Sequence, residues 1–70
     1  MVTISTERLR RGMAEKGLTV SEVAKHLGVG EGTVRGWIRG AYIPRIGLWP
    51  RLEMLIPDVI VDDPDDPADD

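Results

Sequence analysis

Five glycines stand within fourteen residues of this 70-residue chain, in the stretch LGVGEGTVRGWIRG at positions 27–40. A glycine-rich segment can cradle a phosphate, because its backbone N–H groups approach the anion without hindrance from side chains. The dinucleotide pattern G-x-G-x-x-G, however, needs a glycine where this chain has Thr33, and it follows a strand, whereas VSEVAKHL has helical periodicity. The pattern G-x-x-x-x-G-K-[ST] is absent as well. The stretch therefore does not predict a nucleotide site.

Side chains for catalysis or metal binding are sparse. His26 is the only histidine, and there is no cysteine to serve as nucleophile, disulfide partner or zinc ligand. No nucleophile–base pair and no pair of acids stands out in the sequence. We therefore expect a protein that is not an enzyme and that takes no cofactor, metal or small-molecule ligand.

The glycines fit the ends of helices better than a phosphate loop. Gly17, Gly28 and Gly40 each follow an amphipathic segment, where a residue in the left-handed conformation commonly ends a helix. Thr19 and Glu22 form the T-x-x-E capping box that starts a helix. The sequence thus predicts four helices, at about residues 5–16, 20–27, 31–39 and from 48 to 57.

The second and third predicted helices have the apolar pattern of two helices joined by a tight turn. Ala24 is small where the helices would approach, Gly28 can turn the chain, and Val29 fills the corner. Val34 and Trp37 would pack back onto the second helix. This order of apolar and small residues predicts a helix-turn-helix.

Charge is unevenly distributed along the chain. Residues 1–57 hold all nine Lys and Arg and five Glu, a net charge of +4, whereas residues 58–70 hold seven Asp and no base. A basic body with an acidic tail indicates nucleic acid or another charged partner. We expect a DNA-binding domain over 1–57 and a disordered tail over 58–70; the apolar run Val59–Val61 fits a brief strand or an arm.

The sequence shows no sign of a membrane or of export. No apolar run approaches the roughly 18 residues of a membrane span, and the N-terminal segment lacks the apolar core of a signal peptide. We expect a cytoplasmic protein.

The stretch GLTVSEVAKHLGVGEGTVRGWIRG resembles the core of the Xre/Cro-like helix-turn-helix phage repressor family, and the likeness extends over about residues 6–56. The resemblance implies an all-α fold, a compact lambda-repressor-like bundle of four to five helices. It also implies a small phage or prophage-type transcriptional regulator in a bacterial or phage-infected cell. Such a protein binds double-stranded operator DNA, here expected to be pseudo-palindromic, and commonly forms a dimer, here expected to be weak.

In that family the third helix enters the major groove with its N-terminal part against the base edges. Carried onto this chain, the implied DNA-binding residues are Ser21, Gly30, Glu31, Gly32, Thr33, Arg35, Gly36 and Arg39. The resemblance implies that Arg35 contacts guanine O6 and N7 and that Arg39 contacts a phosphate. Ser21 and Thr33 would donate to phosphates.

Four of these positions depart from the family or leave alternatives open. Gly30 stands where the family often has Ser. Glu31 stands where the family often has Gln or Arg; it would either accept from cytosine N4 or stabilise the N-terminus of its helix. Gly32 and Gly36, inside a predicted helix, either permit close approach of the backbone to DNA or leave a thin set of contacts.

Two other functions share these features. The stretch LTVSEVAKHLGVGEGTVRGWIRGAYIP also resembles the MerR-like helix-turn-helix of excisionases, the recombination directionality factors. Those proteins usually begin near the motif and continue into a two-stranded wing, whereas here a full helix is predicted on either side. An antirepressor-type protein-binding module is the third alternative.

Overall fold

The computed structural model describes residues 2–62 of the chain. Four α-helices and a short 3-10 helix lie between two short strands: β1 Val2–Ile4, α1 Thr6–Lys16, α2 Val20–Leu27, α3 Glu31–Arg39, the 3-10 helix Ile46–Leu48, α4 Trp49–Leu55 and β2 Ile60–Asp62. The mostly helical architecture agrees with the expected helical class, but the two-stranded sheet is a departure from an all-α fold.

Local capping fixes the ends of the helices where the sequence predicts them. The Ser5 hydroxyl accepts from the backbone N–H of Arg8 at the start of α1. Thr19 and Glu22 form the complete capping box of α2, with N–O distances of 3.1 and 2.9 Å. Gly28, with φ 72°, ends α2 in the left-handed conformation, which costs a residue with a Cβ roughly 1–2 kcal/mol. These positions confirm the predicted start of α1 and both predicted ends of α2. The fourth helix is shorter than predicted: α4 begins at Trp49, after the 3-10 helix, and ends at Leu55, two residues before the predicted end at 57.

One apolar core joins all the elements. Its buried side chains include Leu9 of α1, Val23 and Leu27 of α2, Val34 and Trp37 of α3, Leu52 of α4, and Ile4, Ile56 and Val59 near the two ends of the described segment. Trp37, only 2% exposed, is a core residue as its position in the pattern predicts. The core holds α3 firmly while the opposite side of that helix faces solvent.

The first and last described segments of the chain pair with each other. Strands β1 and β2 are antiparallel, with Val2 opposite Asp62 and Ile4 opposite Ile60. Val59 is completely buried, and its carbonyl oxygen accepts from the backbone N–H of Ser5 at 2.8 Å. The folded unit therefore continues past residue 57, where the expected domain ends, to Asp62. The expected disorder of residues 63–70 lies outside the described residues.

Within residues 2–62, none of the helices combines the length and the apolar character that crossing a membrane would take.

Candidate nucleic-acid interface

The turn between α2 and α3 is closed by backbone hydrogen bonds around Gly28. The N–H groups of Gly28 and Val29 both donate to the carbonyl oxygen of Ala24, the latter at 3.0 Å. Ala24 is 3% exposed, and Val29 packs partly buried against the core. The sequence predictions for the turn thus agree with the structure: a small residue at 24, a positive φ at Gly28 and an apolar side chain in the corner at Val29. Helix α3 lies against α2, and its outer side is exposed to solvent.

Most of the predicted DNA-binding residues lie on the surface. Those exposed to solvent are Ser21, Gly30, Glu31, Gly32, Arg35 and Arg39, and Thr33 is half-buried beside them. The structure therefore places five of the predicted residues on or at the start of the outer side of α3, with Thr33 at its border and Ser21 in the first turn of α2. Whether each touches DNA stays a prediction.

The prediction that Gly36 faces outward is wrong. Gly36 is buried, and the ring of Tyr42 lies directly over it. A Cβ at this position would overlap the Cζ and Oη atoms of Tyr42. Helical periodicity alone places Gly36 beside Arg35 on the outer side, because it does not reveal that the chain after Gly40 folds back onto α3.

Gly32 differs from Gly36, although it lies one turn earlier on the same helix. Among residues 2–62, a Cβ at Gly32 would meet nothing within 4 Å, so this part of the fold does not require a glycine there. A side chain at this exposed place would project towards whatever lies against α3. Of the two glycines inside α3, only Gly32 therefore fits the expectation of close backbone approach to a partner.

Glu31 and Arg35 form an ion pair along the outer side of α3. Arg35 Nη2 donates to Glu31 Oε1 at 3.1 Å, and the side chains are 59% and 48% exposed. Because a guanidinium carries five N–H groups, this bond leaves enough donors for a bidentate contact with a guanine. The ion pair differs from the two roles expected for Glu31, a base contact or a charge at the helix N-terminus. The i,i+4 spacing of Glu31 and Arg35 is the sequence signal that indicates it.

A groove runs between the start of α3 and the loop that follows it. It encloses about 680 Å³, and its wall includes Gly30, Thr33, Tyr42 and Arg45. Tyr42 and Arg45 are absent from the predicted DNA-binding set, because no local pattern ties the loop GAYIPRIG to α3. The loop is held in place by Trp49, whose indole N–H donates to the carbonyl oxygen of Pro44 at 2.9 Å.

Comparison with known proteins agrees with this geometry. A family model described as a helix-turn-helix domain matches residues 18–55, which are 38 of the 70 residues. The chain belongs to the helix-turn-helix domain family. No curated protein and no solved structure gives a significant match. The match contains α2, the turn and α3, so this helix-turn-helix domain is of the DNA-binding kind, with double-stranded DNA as its partner. It does not distinguish the Xre/Cro-like family within that class.

Proposed function

We propose that the chain is a sequence-specific DNA-binding protein of the Xre/Cro-like, lambda-repressor-like kind, a small phage or prophage-type transcriptional regulator that works by occupying an operator and not by catalysis. The observation that carries the proposal is the outer side of α3: an exposed strip with Glu31, Arg35 and Arg39, on a helix whose other side is locked into the core. Rigid support of this kind lets a helix present side chains to base edges in a fixed register.

The roles of the individual residues follow from their places on α3. Arg35 lies one turn from the N-terminus of the helix and is proposed to contact a guanine in the major groove. Arg39, the last residue of α3, is proposed to contact a phosphate. Ser21 and Thr33 would add hydroxyl donors to phosphates, and Gly30 and Gly32 would let the backbone come close.

The position of the small sheet favours a regulator over an excisionase. Helix α1 precedes the motif, and α4 follows it. Strand β2 pairs with β1 at the other end of the chain, and no described strand follows α3 directly to form a hairpin wing. The excisionase remains the second candidate, because this helix-turn-helix family is associated with excisionase-like factors. The third is a protein-binding module of the antirepressor type.

A weak homodimer on a pseudo-palindromic operator is also part of the proposal, with half-sites about 34 Å apart. The apolar residues Ile56 and Val59, after α4, do not offer a dimer surface, because both are buried in the core at 3% and 0% exposure. The support that the structure offers instead comes from Ile46 and Met54, large apolar side chains that are 72% and 83% exposed.

The deciding experiment is a footprint of the protein on the DNA flanking its own gene, followed by titration of the bound site. A site at a promoter supports the regulator, a site beside a recombination attachment site supports the excisionase, and no binding to any duplex supports the protein-binding module.

Arg35→Ala should weaken binding to the site by about 1–3 kcal/mol and relax the preference at one base pair.

Two further variants separate base contact from general charge. Arg39→Ala should weaken binding to all duplexes alike and reduce the salt dependence. Arg10→Ala, which removes an equal charge from the exposed side of α1, is the matched control. An Arg35→Ala protein that binds the site as tightly as the parent would remove Arg35 from the base-contacting set.

A further inference from the structure

The ring of Tyr42 packs along one side of α3. It can do so because Gly36 has no side chain. Its ring occupies the space that a Cβ of Gly36 would need. Its hydroxyl oxygen lies 3.5 Å from the carbonyl oxygen of Gly32, one helical turn earlier. The ring therefore lies on the edge of α3 formed by Gly32 and Gly36, and its hydroxyl is directed towards the N-terminal half of that helix.

The Tyr42 hydroxyl is fixed in place by the packing of its ring, but the hydrogen bond that it makes is weak. A separation of 3.5 Å is at the long limit for an O–H···O hydrogen bond, so the bond to Gly32 contributes little. Tyr42 as a whole is 49% exposed, although its ring is packed on the glycine. The hydroxyl can thus turn to a stronger acceptor without moving the ring, and little rotamer entropy is lost when it does.

The groove beside Tyr42 contains residues that can bind an anion. Thr33, Tyr42 and Arg45, whose side chains carry two hydroxyls and a guanidinium, line it together with apolar side chains such as Ile43 and Leu48, and within residues 2–62 no acidic residue lines it. These donors come from two segments, α3 and the loop after it, which converge on one concave surface. A phosphate oxygen accepts from all three kinds of donor.

We propose that this groove binds a backbone phosphate of the DNA strand beside α3, with Tyr42 donating its hydroxyl to that phosphate and Arg45 supplying the charge. The inference rests on the proposed DNA-binding function. The major groove is about 12 Å wide, so residues that flank an inserted helix meet the sugar–phosphate walls and not the bases. Tyr42 and Arg45 flank α3 in this way, and Gly36 is the positioning residue for Tyr42.

The first test compares duplex affinity for variants at the two donors. Tyr42→Phe keeps the ring and removes only the hydroxyl; it should weaken binding to operator and random duplex alike, by about three- to tenfold. Because no charge is lost, the slope of affinity against salt should stay that of the parent. Arg45→Ala should weaken binding and reduce that slope by about one. Arg51→Ala, an exposed arginine on α4 outside the groove, is the matched charge control.

A double-mutant cycle tests the role of Gly36. Gly36→Ala should displace the ring of Tyr42 and reduce duplex affinity as much as Tyr42→Ala does, while circular dichroism shows that the helices are retained. In a Tyr42→Ala background, Gly36→Ala should have no further effect on affinity, because the ring that it displaces is already gone. Independent, additive losses would overturn the positioning role.

Tyr42 is the only tyrosine of the chain, so chemical nitration reports on this one site. A short random duplex should protect Tyr42 from tetranitromethane in the parent protein. Duplex binding by the parent, together with unprotected Tyr42 and unchanged affinity of Tyr42→Phe, would overturn this inference and leave the proposed function intact. A parent protein that binds no duplex would overturn both.

Discussion

The ion pair between Glu31 and Arg35 places a negative charge on the side of α3 that is proposed to face DNA. Glu31→Gln removes that charge and keeps an amide oxygen that can still accept from Arg35. The pair is about half exposed on both sides and contributes about 0.3–0.5 kcal/mol as an exposed i,i+4 pair. The charge at the first position of α3 adds a comparable interaction with the helix dipole. We therefore expect the variant to lose less than about 1 kcal/mol of folding stability.

Although Glu31→Gln should slightly lower folding stability, it should strengthen DNA binding. A carboxylate about 7 Å from a phosphate is repelled by roughly 0.6 kcal/mol in a medium with the dielectric constant of water. Removing that repulsion raises affinity about threefold, and the gain shrinks as salt screens it. Glu31→Gln should therefore bind random duplex about threefold more tightly at low salt and leave the preferred base sequence unchanged.

The assay is a fluorescence titration of operator and random duplexes across a salt series, accompanied by selection from a randomised duplex pool. Glu53→Gln on α4, also exposed, is the control for the same change in net charge. A variant that loses its preference for cytosine at one position would refute this reasoning and would assign Glu31 to cytosine N4 instead. Unchanged affinity for random duplex at low salt would show that Glu31 does not face the phosphates.

Three further predictions test the packing and the charge of the rest of the chain. Gly12→Ala would place a Cβ 2.5 Å from Cγ2 of Ile56, so we expect a net loss of about 1 kcal/mol in denaturant unfolding, with overpacking exceeding the gain in helix propensity; unchanged or higher stability would contradict the close contact. Val59→Ala should cost about 1–3 kcal/mol because Val59 is fully buried, and a midpoint equal to that of the parent would show that the segment after α4 is not part of the core. Deleting residues 63–70 removes five Asp; it should leave the thermal midpoint unchanged and strengthen low-salt binding to random duplex, whereas unchanged binding would leave solubility as the tail's role.

Short-range signals in the sequence predict the helices and the turn correctly. Thr19, Glu22 and Gly28 each specify their structure through neighbours within four residues, and the apolar pattern identifies Trp37 as core. For the same reason, the helix-turn-helix could be recognised from one continuous stretch of sequence. All of these features depend on local geometry that the chain encodes without reference to distant segments.

Contacts between distant segments could not be predicted in this way. Strands β1 and β2 have three residues each and pair across almost the whole chain, too short a pattern to indicate a partner. The contact of Tyr42 with Gly36 depends on the path of the loop after Gly40, which no periodicity describes. The candidate site is therefore predictable on the outer side of α3 and unpredictable along the border that the loop adds to it.

The pairing of Val2 with Asp62 means that anything attached to either end of the folded unit departs from the same place on its surface. If this unit were inserted into a surface loop of another protein, its two junctions with that loop would lie close together. Domains with adjacent ends tolerate insertion and circular permutation for this reason. The unit is accordingly suited to insertion into another protein as one domain. It is also suited to circular permutation, in which a short linker joins residues 2 and 62 and new termini are placed elsewhere, for instance in the exposed turn at Gly17.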